Sequence, residues 1–69
     1  MAAIIWERGS RPTPYVSRKL HIEYWQLREA LHKIKSKANL GATDHITILD
    51  DGTVKDEHGD EIGNIHDEP

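Results

Sequence analysis

The sequence predicts an α+β domain, and three observations carry the prediction. Apolar residues recur at helical spacing through the middle of the chain, β-branched runs broken by Gly-containing turns follow, and a short β-branched and aromatic run precedes. The expected architecture is an N-terminal strand or hairpin, one long amphipathic helix, then an antiparallel β-meander packed on that helix.

Residues 3–8, Ala-Ile-Ile-Trp-Glu-Arg, have the content of a short strand. Gly9 to Pro14 reads as a loop, because one glycine and two prolines interrupt any regular pattern. Tyr15 to Lys19 has two readings, an edge strand returning from the loop or the approach to a helix. The helix itself is expected from about Arg18 to Ala38. Leu20, Tyr24, Leu27, Leu31, Ile34 and Ala38 follow alternating steps of four and three, which at about 100° per residue form one stripe. Ser17 is the expected N-cap and Gly41 the expected left-handed terminator. His32, Lys33, Lys35 and Lys37 crowd the last turns, where cations suit the helix dipole.

His45-Ile-Thr-Ile-Leu49 alternates and leads into Asp50-Asp51-Gly52, a turn with Gly52 in the left-handed position. That register pairs Ile48 with Val54. A second turn over Glu57-His58-Gly59 pairs Val54 with Ile62 and Lys55 with Glu61, and it places Asp56 beside Asp60. Ile46, Ile48, Val54 and Ile62 are expected to meet Leu27, Leu31 and Ile34. One domain over residues 1–64 is the expected organisation, with 65–69 a disordered acidic tail.

A 69-residue chain has a marginal core, and the absence of Cys removes disulfides, thiolate zinc sites and a Cys nucleophile. The longest apolar run, Met1 to Trp6, is far shorter than the roughly 20 residues of a membrane span. No basic segment precedes it, so no secretory signal is expected and the chain reads as cytoplasmic. Phosphate loops, a nucleophile elbow and paired catalytic carboxylates are missing, so the reading is non-enzymatic and without a cofactor.

Charge is asymmetric. Residues 1–37 carry eight bases against three acids, +5, and residues 38–69 carry one base against nine acids, −8. Within the first half a second helical stripe, His21, Trp25, Arg28, His32 and Lys35, lies beside the apolar one. A Trp among cations suits an acidic partner; the alternative is Trp25 packed under the N-terminal strand or loop with an ordinary solvated face around it. In the second half Asp50, Asp51, Asp56, Glu57 and Asp60 form a candidate acidic contact surface if they share a face; otherwise they serve the turns and strand edges. His21 and His32 are too far apart along a helix to share a metal, and Asp56 to Asp60 lacks the spacing of a calcium loop, so no metal is expected.

The leading expectation is a small protein-binding module, a regulator or inhibitor that occupies a partner's surface. Phage and mobile-element proteins that block host machinery share this size and charge, and the comparison rests on those alone. The alternative is nucleic-acid binding through Arg8, Arg11, Arg18 and Arg28, marked by steep weakening with salt. The Leu20 to Ala38 stripe is also a candidate homodimer seam.

Overall fold

The computed structural model describes residues 3–8, 12–41 and 44–66. Six elements follow in order: β1 (Ile4–Arg8), α1 (Pro14–Lys19), α2 (Tyr24–Lys37), β2 (Ile46–Leu49), β3 (Thr53–Asp56) and β4 (Glu61–Asn64). The strands form one antiparallel sheet in the order β1-β2-β3-β4. Both helices cover one face of it, α1 against β1 and α2 against β4. The α+β class and the meander are as the sequence predicts, and the N-terminal strand becomes the fourth strand of the sheet.

The single long helix is corrected to two. Tyr15 to Lys19 is neither strand nor approach but most of α1, which starts at Pro14, where a missing amide costs nothing. Ser17 is therefore inside a helix, and its hydroxyl donates to the Pro14 carbonyl at 2.8 Å rather than capping a terminus. The chain leaves α1 through His21 at φ 55°. The His21 amide donates to the Arg18 carbonyl and the Ile22 amide to the Ser17 carbonyl, the paired bonds of a Schellman turn. Leu20 keeps its place in the apolar stripe because it faces the core from the turn, not from a helix.

α2 ends the same way. Asn39, at φ 60°, holds the left-handed position expected of Gly41. Its amide donates to the Ser36 carbonyl at 3.1 Å, and the Leu40 amide to the Lys35 carbonyl at 2.8 Å. Asn tolerates this backbone better than most residues, and Leu40 then folds back onto the core. Gly41 instead donates its amide to the Asp44 carboxylate at 2.7 Å.

The core is closed by Val16 and Leu20 from the first helical segment, Leu27 and Leu31 from α2, and Ile46, Ile48 and Val54 from the sheet. Leu20, Leu27 and Leu31 are thus buried within one chain, while Tyr24, Ile34 and Ala38 of the same stripe are half-buried. Ile48 pairs with Val54 and Lys55 with Glu61 as expected, but Val54 pairs with Gly63, not Ile62. One extra residue, Ile62, bulges from β4 between the two registers. β1 has a matching bulge at Ile5, so each edge strand of the sheet carries one.

The bulge brings Gly63 under Ile34. A Cβ built there would lie 2.8 Å from the Ile34 Cγ1, so only glycine lets α2 sit at this height. Gly52 turns the β2–β3 hairpin at φ 93°, and its carbonyl accepts the Ile65 amide at 2.9 Å. Ile65, expected to begin a disordered tail, is only 6% exposed and belongs to the core. Residues 67–69 lie outside the described residues.

Two stability predictions follow from these contacts. His21→Gly and Asn39→Gly each relieve a left-handed Cβ and are expected to raise the unfolding free energy by about 0.5 to 1 kcal/mol in urea titrations. An unchanged or lower midpoint would show that the His and Asn side chains themselves hold the turns. Gly63→Ala forces α2 and β4 apart and is expected to destabilise by about 1 to 3 kcal/mol in the same assay.

Candidate functional site

α2 presents the second stripe very unevenly. Trp25 is 59% exposed, which rules out the alternative in which it packs under β1. Arg28 and His32 share its face and are also exposed. The Arg28 guanidinium lies 5.8 Å from the centre of the Tyr24 ring, a cation–π distance that restricts where this cation points. The Tyr24 hydroxyl donates to the Pro12 carbonyl at 3.2 Å, tying the segment before α1 to the start of α2.

These contacts shape an open groove along α2. Its floor is apolar, made by buried Pro12 and Leu31 and half-buried Leu40, and its rim carries Trp25, Arg28 and His32. The Leu40 side comes from the Schellman turn after α2, and the Pro12 side from the Tyr24 bond. Both walls were invisible in helical periodicity, which describes one helix at a time. The signals that pointed to them are Asn39, a residue fit for a left-handed cap, and a tyrosine able to reach across to a proline-rich loop.

Two members of the stripe do not belong to that exposed surface. His21 lies in the turn between the helices, where its backbone caps α1. Lys35 is only 6% exposed. Burial pushes its ammonium below the ordinary lysine value, and the nearby Asp44 carboxylate pulls it back up. The part of the stripe that α2 itself presents to solvent is therefore Trp25, Arg28 and His32, while His21 is exposed in the turn before it.

The acidic residues divide between the two ends of the sheet. Asp50 and Asp51 sit in the β2–β3 turn, whereas Glu57 and its neighbours Asp56 and Asp60 sit at the β3–β4 turn. The four residues of β3 separate them by roughly 13 Å, so they do not form one patch. Most are occupied locally. Asp51 Oδ1 accepts the Thr53 amide at 2.9 Å. Asp56 Oδ1 accepts the amides of His58 and Asp60, each at 2.9 Å. Glu57 reaches the His58 ring at 3.7 Å with both side chains exposed, a contact of little energetic weight. Among the described residues no three His, Asp or Glu side chains gather as a metal site.

On a larger scale the charge split becomes a split between layers. Residues 14–37, the helical layer, hold six bases against two acids, while residues 46–66 hold one base against six acids. The arginines of the nucleic-acid reading are distributed: Arg8 ends β1, Arg18 is on α1 and Arg28 on α2, all exposed, and Arg11 lies outside the described residues. Among the described residues no helix is long and apolar enough to cross a membrane.

Asp51 generates a pH prediction. Hydrogen bonds from the Thr53 hydroxyl and amide hold its carboxyl below the usual carboxylate range. A folded-state value below the unfolded one adds stability at neutral pH that is lost as pH falls through the folded value. Asp51→Asn keeps the amide acceptor and removes the titration. The variant is expected to lose less stability than the parent protein as pH falls below about 4, read from thermal melts across acid pH.

Comparison with protein-family models, with curated proteins and with solved structures finds no match to this chain.

Proposed function

We propose that this protein is a small non-enzymatic binding module, a regulator or inhibitor that works by occupying the surface of a partner protein in the cytoplasm. The observation that carries the reading is Trp25, 59% exposed on the rim of an apolar-floored groove and beside a partly immobilised arginine. Trp and Arg are the residues that most often dominate protein interfaces, because each adds a large contact at little cost in side-chain freedom. An exposed Trp contributes little to its own fold, so its position on a rigid helix is more useful to a contact than to the core.

Nucleic-acid binding is the second reading, and the net positive helical layer favours it. The arginines it needs stand on three separate elements, and the acidic turns of the sheet oppose any wrapping of a phosphate backbone around the domain. A probe held only by the helical layer would weaken steeply as salt rises.

The test is Trp25→Ala. The variant is expected to keep its unfolding free energy within about 0.5 kcal/mol. A partner recovered by affinity purification and then purified should bind the variant with a loss of about 2 kcal/mol or more, about thirtyfold in Kd by calorimetry. Undiminished binding by a folded variant would refute the role given to this surface.

A further inference from the structure

The groove has a length, a floor and a charge, and together they define what fits it. Trp25 and Ser36 bound its course along α2, eleven residues apart, or about 16 Å at the helical rise. That span matches about five residues of extended chain. Pro12, Leu31 and Leu40 give the floor an apolar surface that suits one apolar residue of an occupant, and the buried Lys35 lines the groove beside them. The exposed rim carries Arg28, His32 and Lys33 against a single acid, Glu29.

We propose that the groove receives a short acidic segment of a partner protein, with one apolar residue set between carboxylates; this rests on the protein-binding reading above. The apolar residue fills the floor, Arg28 and Lys33 take the flanking carboxylates, and Trp25 closes one end. Arg28 is well placed for this. Its guanidinium already rests on the Tyr24 ring, so it loses less freedom on pairing than a free side chain would, and its planar fork can hold a carboxylate through two parallel bonds. Tyr24 also binds Pro12, so the same ring supports the cation and one wall of the floor. The groove is preformed where it meets its occupant, which lowers the ordering cost of binding.

A phosphate backbone fits less well. Its charges repeat on every residue and leave nothing to fill an apolar floor, and Glu29 stands on the rim that phosphates would follow. Trp25 can stack on a base, so single-stranded DNA is the competitor the experiment must include.

The full chain, labelled with nitrogen-15, is titrated with four end-capped peptides, Asp-Glu-X-Glu-Asp, in which X is Leu, Ile, Phe or Met. At least one, at up to about millimolar concentration, is expected to shift the Trp25 indole N–H and the amides of Arg28, His32 and Leu40. Replacing its acids by Ser should abolish those shifts. The double change Arg28→Glu and Lys33→Glu, both at exposed positions, should weaken binding about tenfold or more while the remaining spectrum stays dispersed. The proposal is overturned if none of the four peptides shifts those groups, if the Ser peptide binds equally, or if a thymidine decamer occupies the groove more tightly than every acidic peptide. Failure of the peptides alongside loss of a purified partner by Trp25→Ala would remove the acidic occupant and leave the docking surface standing.

Discussion

A helix continued without interruption from Pro14 to Lys37 would be roughly 36 Å long, while the strands beneath it have four or five residues and span about 17 Å at most. The longest dimension of the folded backbone is 26 Å. A domain this small cannot cover such a rod, and the left-handed backbone at His21 resolves the mismatch by folding the helical segment into two pieces that lie on the same sheet. Everything above the sheet depends on that reversal. It turns Leu20 inward, sets α1 over β1 and α2 over β4, and leaves the Pro12 segment beside the first turn of α2.

The legible parts of the fold are those that periodicity governs. The apolar stripe, the alternation of β2, the left-handed Gly52 and the Lys55–Glu61 register all follow from residues repeating at the spacing of their element. What periodicity hides is a break that preserves phase. Leu20 to Ala38 keeps its alternating spacing across the His21 turn, since the turn returns the chain to the core on the correct side. His and Asn are weak left-handed signals beside Gly, so Gly41 attracted the cap that Asn39 forms. Bulges escape for a related reason. An extra residue such as Ile62 leaves the apolar content of its strand unchanged, and the evidence for it is the glycine next door, which takes its place opposite Val54 and sits beneath Ile34.

The candidate site was legible as a stripe and illegible as a surface. Trp25, Arg28 and His32 emerged from helical spacing alone, but exposure depends on which other segments arrive nearby. Lys35 is withdrawn from solvent, whereas at the start of α2 Tyr24 bonds the Pro12 carbonyl and Trp25 stays exposed. The acidic residues show the complementary lesson. Asp51 and Asp56 each hold a backbone amide two residues on, so their charge is anchored by turn geometry at opposite ends of β3. A negative total spread in this way neutralises the helical layer more readily than it builds a second face.

Both outer strands of the sheet lose register by one residue, at Ile5 and at Ile62, while among the described residues the face away from the helices forms an open hollow around Ile4, Thr47, Leu49 and Lys55. A regular edge is a template on which another copy can extend the ladder indefinitely, and a bulge twists the free amides and carbonyls out of line. An accessible sheet face beside a regular, unpaired edge is the combination that invites association. Here the irregular borders uncouple the two, so solvent can reach both sides of the molecule without either edge offering a straight path to a fibre.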